Sequence, residues 1–239
     1  MTDKAFLSTP YAREAEATVQ DVTEDGRIVL DSTIFYATGG GQPGDSGWLS
    51  WEDQEIAITD TVKGENGDVV LVPESGEVLP VHGQKVHQRL DWERRYSHMR
   101  VHTALHLLSV VIPLPVTGGS IAVGKGRLDF AMPEPPEDRQ GLEDHLNELI
   151  ARDLAVTQDW ISEDDLDANP GLVKTMSVQP PRGAGRVRLI RIGAGETQID
   201  LQPCGGTHVA RTGEIGTVRL GKIENKGKQN RRVNLLLDG

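Results

Sequence analysis

The 239-residue chain has a single cysteine, Cys204. One thiol excludes an internal disulfide and suits a reducing compartment, so a cytoplasmic protein with no disulfide partner is expected. No run approaches the ~18 consecutive apolar residues that a membrane helix needs. The opening MTDKAFLSTPYAREAEA lacks an apolar core of signal-peptide length. Aromatic residues are sparse, making up only 4% of the chain. Two common catalytic signatures are also missing. The glycine-rich stretch carries no GK[ST], so it is not read as a nucleotide-phosphate cradle, and Thr103 stands where a zinc peptidase would carry its glutamate base.

The net charge of −11 argues against a nucleic-acid partner until its distribution is considered. Residues 134–169 hold twelve Asp/Glu against two Arg, whereas residues 182–239 hold eleven Lys/Arg against five Asp/Glu. An acidic total therefore leaves room for one basic, RNA-facing surface. For the charge blocks alone, a solvated acidic helix beside a mixed sheet surface is the favoured reading.

Residues 1–90 read as β-rich. RIVLDSTIFYATGG, SGWLSWEDQEIAITDTVKGENGDVVLV and GEVLPVHGQKVHQRL alternate or run in β-branched residues and are cut by glycine, Asn-Gly and proline turns, which predicts a small barrel or sandwich. The texture changes at DWERRYSHMRVHTALHLLSVVIP, where Met99, Val101, Leu105 and Leu108 recur at helical steps. TGGSIAVGKGRLDFAM reads as a hairpin, PEPPEDRQGLEDHLNELIARDLA as an N-capped amphipathic helix, and the remainder as strands with glycine turns. The expected fold class is α+β, with a β-barrel-like domain over 1–90 and an α+β domain over 91–239.

Two four-residue intervals carry metal-binding residue types. His102 and His106 lie at i and i+4, one above the other on a helix, so both imidazoles can aim at one point. Cys204 and His208 bracket Gly-Gly-Thr, where the glycines allow the backbone to curl. Three histidines and one cysteine form a nitrogen and sulfur donor set suited to zinc. Either pair alone reads equally as ordinary core, since histidine pairs occur in buried helices and a lone cysteine is a common buried hydrophobe. The loop ATGGGQPGDSG reads either as a plain strand connection or as bare backbone that a ligand approaches closely, with Gln42 supplying an amide.

HTALH in a helix, PCGGTH about a hundred residues on, GGGQPGD upstream and KGKQNRRV near the end, in that order, resemble the alanyl-tRNA editing proteins of the AlaX family, medium-length class. These are freestanding homologues of the alanyl-tRNA synthetase editing domain. The resemblance implies a small barrel-like N-terminal domain and an editing domain with Zn2+ held by His102, His106, Cys204 and His208. It also implies ATP-independent hydrolysis of mischarged tRNA(Ala), chiefly seryl-tRNA(Ala) with glycyl-tRNA(Ala) as a second substrate, sparing alanyl-tRNA(Ala). Gly39, Gly40, Gly41, Gln42 and Thr117 are the expected substrate-binding residues. Lys222, Lys226, Lys228, Arg231 and Arg232 are expected at the tRNA acceptor end, and each alone reads equally as part of a solvated basic turn. Asp45 and Asp129 are the acids nearest these motifs, and no general base is assigned. The competing functions are a non-catalytic RNA-binding module with a structural zinc and a zinc hydrolase of small esters.

Overall fold

The computed structural model describes residues 1–175 and 185–238. Arg182, the start of the basic C-terminal segment, lies outside the described residues. The chain divides into two compact units, Met1–Tyr96 and Ser97–Gly239. It is α+β throughout, and among the described residues no helix is long and apolar enough to cross a membrane.

The first unit begins with a one-turn helix, α1 (Ala5–Ser8), and six strands: β1 (Glu14–Val22), β2 (Ile28–Leu30), β3 (Gly47–Trp51), β4 (Gln54–Lys63), β5 (Val69–Pro73) and β6 (Lys85–Leu90). They close into an antiparallel barrel in the order β1-β2-β5-β4-β3-β6, with β6 pairing back to β1. Alternation decides what points inward: Leu49 and Trp51 on β3, Val86 and Leu90 on β6, and Ile56 and Ile58 on β4 pack together as the barrel core.

Within RIVLDSTIFYATGG, part of the region expected to be β-rich, only Ile28–Leu30 forms a strand. Side chains take the backbone groups that a ladder would have used. Ile34 N donates to Gln88 Oε1 (3.2 Å), Phe35 N to Thr33 Oγ1 (3.1 Å) and Tyr36 N to the Asp45 carboxylate (2.6 Å). Each amide is satisfied without a neighbouring strand, so the segment stays buried but irregular.

The second unit contains most of α2 (Trp92–Val111), followed by β7 (Val116–Ala122), β8 (Lys125–Ala131), α3 (Arg139–Ala151), β9 (Val156–Ser162), α4 (Glu163–Ala168), β10 (Arg186–Ile192), β11 (Asp200–Pro203), β12 (Val218–Asn225) and β13 (Asn230–Leu237). The boundary between units falls inside α2. Strands order as β12-β13-β8-β7 in one sheet and β11-β10-β9 in another. The prolines before α3 lie outside it. The helix starts at Arg139, where Asp138 caps it by accepting from Gly141 N (2.8 Å).

From His98 onward α2 is buried on nearly every side, so it carries no continuous polar face. A glycine on β8 sets how closely it lies on the sheet: a Cβ at Gly126 would come within 2.6 Å of Val101 Cγ1 and 3.1 Å of Leu105 Cδ1. The expected 3.6-residue pattern of apolar residues is therefore only part of this helix. Its polar members, among them His102, Thr103, His106 and Ser109, are buried as well.

Candidate metal centre

His102 and His106 project from α2, and Cys204 and His208 from the loop that follows β11. One ligand atom from each of the four lies within 4.8 Å of the others. Cys204 Sγ is 3.2 Å from His208 Nε2 and 3.5 Å from His102 Nε2. Ligand atoms about 3.5 Å apart are what a tetrahedron built from ordinary zinc–nitrogen and zinc–sulfur bonds requires. The imidazole centroids are 4.2 to 5.3 Å apart, and all three histidines are buried. The residues fit a metal ion in both chemistry and spacing.

The surrounding hydrogen bonds fix how each ligand is presented. Thr103 Oγ1 donates to Met99 O (2.9 Å) within the helix, which commits its only proton. It can therefore accept from His208 Nδ1 (3.2 Å) and from Val209 N (3.3 Å), and His208 keeps Nε2 free toward the cluster. His106 Nδ1 donates to Asp200 Oδ2 (3.0 Å), freeing its Nε2 in the same way. Arg188, buried on β10, donates from Nη1 to Cys204 O (3.1 Å) and Gly206 O (2.7 Å), and Cys204 N returns a bond to Arg188 O (3.1 Å). The ligand loop is thus pinned to a strand by three bonds. Gly206 N also donates to Cys204 Sγ (3.4 Å), an interaction that favours the thiolate.

The protonation preferences follow from these contacts. Burial raises the Cys204 thiol, but His102 and His208 hold it well below its ordinary value. Burial and the neighbouring His102 push His208 well below the usual histidine range. Burial also depresses His106, yet the Asp200 hydrogen bond and Cys204 outweigh it and carry His106 to about 9. Burial works against ionisation of Asp200, whereas His106 and then Lys174 hold it below the usual carboxylate range.

The other expected site residues are placed as follows. Gly40 and Gly41 occupy the centre of a tight turn closed by reciprocal backbone bonds between Gly39 and Gln42, and both have positive φ (57° and 85°). Gln42 is buried. Gly44, in the same motif, is needed for packing, since a Cβ there would sit 2.1 Å from Thr61 O. Asp45 is buried against Arg95, which donates to it from Nε at 2.8 and 3.0 Å and again from Nη2. All these contacts lie in the first unit, and they occupy Asp45 fully. In the second unit Thr117 is half-buried where the β7–β8 register shifts by one residue, and its hydroxyl lies 2.8 Å from Asn230 Oδ1 and 3.1 Å from Asp129 O. Asp129 receives two bonds from Arg232 (2.8 and 3.0 Å) and one from Arg127 (2.8 Å). Arg231 spans the β12–β13 turn, donating to Asn225 Oδ1 and Gly227 O. Lys222, Lys226 and Lys228 are exposed, with Lys226 3.4 Å from Glu224.

Sequence reasoning did not single out Asp200, Gln202, Lys174 or Arg188. One signal was available. Asp200, Gln202 and Cys204 alternate along the chain into the ligand loop, so a period of two places them on one side.

Comparison with known sequences relates both the strand barrel and the unit that gathers three histidines and a cysteine to aminoacyl-tRNA synthetase domains. The family described as "Threonyl and Alanyl tRNA synthetase second additional domain" matches residues 187–234, and that described as "tRNA synthetases class II (A)" matches residues 2–94. The alanyl-tRNA editing protein AlaX-M of Methanosarcina acetivorans is 34% identical over 99% of both chains. AlaX-L of Pyrococcus horikoshii is 33% identical over 98% of this chain and 57% of its own length. An alanine–tRNA ligase of Pyrobaculum calidifontis is 33% identical over 93% of this chain and 25% of its own. The chain belongs to the AlaX family of alanyl-tRNA editing proteins.

Proposed function

We propose that this protein is a zinc-dependent deacylase acting in the cytoplasm on mischarged tRNA(Ala), chiefly the seryl ester and secondarily the glycyl ester, while sparing alanyl-tRNA(Ala). The observation that carries the reading is the convergence of His102, His106, Cys204 and His208 within 4.8 Å in a chain of the editing-protein family. Bound zinc would supply Lewis acidity, either to an ester carbonyl or to a water nucleophile.

Discrimination is the harder part of the task. A small pocket cannot strongly reject a ligand that merely adds a hydroxyl, so correction needs a second site that hydrogen-bonds that hydroxyl and is left unpaired by alanine. Thr117 is suited to this role. Its hydroxyl, 2.8 Å from Asn230 Oδ1, is the kind of group that can hydrogen-bond a seryl hydroxyl. Gln42, beside the tight turn at Gly39, Gly40 and Gly41, is the other candidate reader.

For the acceptor end, Lys222, Lys226 and Lys228 offer exposed ammonium groups to phosphates. Arg231 and Arg232 support that surface by holding the β12–β13 hairpin to its own turn and to Asp129. A second reading, a non-catalytic RNA-binding module with structural zinc, is supported by one feature: the four clustered residues would by themselves fill a tetrahedron, whereas catalytic zinc usually keeps an open position.

Deacylation of seryl-, glycyl- and alanyl-tRNA(Ala) separates the two. The editing reading expects rapid loss of the seryl ester and persistence of the alanyl ester. It also expects Thr117→Val to lower seryl turnover by at least about tenfold, for a buried hydroxyl left unpaired. Persistence of all three esters with zinc-loaded protein would leave the binding module as the correct reading.

A further inference from the structure

We infer that Asp200, held by Gln202 and Lys174, is a positioning residue for the metal centre, fixing which nitrogen of His106 faces the ion and how the ring is turned. The inference rests on the metal reading above and deepens it. A histidine that offers Nε2 must carry its proton on Nδ1, and the acceptor at Nδ1 sets both tautomer and ring orientation. For His106 that acceptor is Asp200 Oδ2, at 3.0 Å, on a side chain with no exposed surface.

The carboxylate is itself over-determined. Gln202 Nε2 donates to the same Oδ2 (2.8 Å), and Lys174 Nζ binds Oδ1 (2.6 Å). Gln202 Nε2 also lies 3.0 Å from His106 Nδ1, but two N–H donors cannot bond each other, so both are directed at the oxygen they share. Lys174 provides the counter-charge that a fully buried carboxylate needs.

The three histidines are consequently not equivalent. His208 Nδ1 meets a neutral hydroxyl, Thr103, whereas His106 Nδ1 meets an anion. An anionic partner strengthens the imidazole as a donor more than a hydroxyl does. His106 is thereby the most strongly held nitrogen of the two whose outer partners are defined. Because β11 alternates, the strand that carries Asp200 and Gln202 on one side leads directly to Cys204, so one segment delivers a ligand and the device that orients another.

The test is metal affinity, read independently of catalysis. Metal-stripped protein is titrated with zinc against a chromophoric chelator, and with cobalt(II) while its visible absorption is followed. Wild type must bind either ion; failure here would remove the metal centre itself, and with it the parent reading. Given a wild type that binds, Asp200→Asn is expected to weaken zinc about 10- to 100-fold and to alter the cobalt spectrum, with circular dichroism unchanged. Because Asp200→Asn leaves Lys174 without its counter-charge and can fail to fold, a double variant, Asp200→Asn with Lys174→Met, removes both charges. It is expected to fold and to remain as weak for zinc. Wild-type affinity and an unchanged cobalt spectrum in Asp200→Asn would overturn the inference. So would recovery of wild-type affinity in the double variant, which would show that charge imbalance alone was responsible.

Discussion

Thr103 shows what a single residue contributes when it is read through its hydrogen bonds. In the sequence it registers mainly as a missing glutamate, the reason to set aside a zinc-peptidase mechanism. In the structure it bonds Met99 O, His208 Nδ1 and Val209 N, tying the helix to the ligand loop. Thr103→Val keeps the shape and removes every one of these bonds. It leaves a buried imidazole N–H and a buried backbone N–H without their acceptor, so a stability loss of about 1–3 kcal/mol is expected in urea unfolding. Zinc retention during dialysis is expected to fall in parallel. A variant as stable and as zinc-rich as wild type would show that His208 is oriented by something else. No spacing rule could have announced this role, because a threonine inside a helix most often bonds its own backbone.

At the level of elements, legibility depended on how local the determining interaction was. The hairpin of β7 and β8 and the strands β10 to β13 follow from alternation and glycine turns, and these were readable. The stretch after Leu30 lies in the region expected to be β-rich but is irregular, because its amides are answered by Gln88 and Asp45, 54 and 9 residues away, which no local pattern encodes. The β8–β13 pairing hides a similar long-range contact, Asp129 with Arg232. Burial would raise the Asp129 carboxyl, but Arg232 and Arg127 hold it below the ordinary carboxylate value. A depressed folded pKa stabilises fully above the unfolded value of about 3.9 and is lost as pH falls through the folded value. The gap in stability between wild type and Asp129→Asn should therefore be on the order of 1 kcal/mol near neutrality and shrink in strong acid. Thermal melts across that range check it. A gap that widens on acidification would contradict the assignment of Asp129 as an ionised partner of both arginines.

For the molecule as a whole, composition gave more about class than about site. A charge of −11 suggested no nucleic-acid partner, yet the exposed lysines 222, 226 and 228 lie along one basic C-terminal segment. The cluster of His102, His106, Cys204 and His208 is legible because residue type and a repeated interval coincide, and the family match places the chain among editing proteins. What surrounds the ligands was not legible. Asp200, Lys174 and Arg188 are ordinary charged residues in a charged chain until the fold buries or apposes them. The activity proposed for the whole molecule is ester hydrolysis that needs the metal in place. It is tested by stripping the purified protein with a chelator, confirming metal content and fold, and following seryl-tRNA(Ala) hydrolysis before and after zinc is restored. The rate is expected to fall at least about 100-fold on stripping, as the loss of Lewis-acid stabilisation implies, and to return with one equivalent of zinc. A stripped, folded protein that hydrolyses the ester as fast as the loaded one would contradict it.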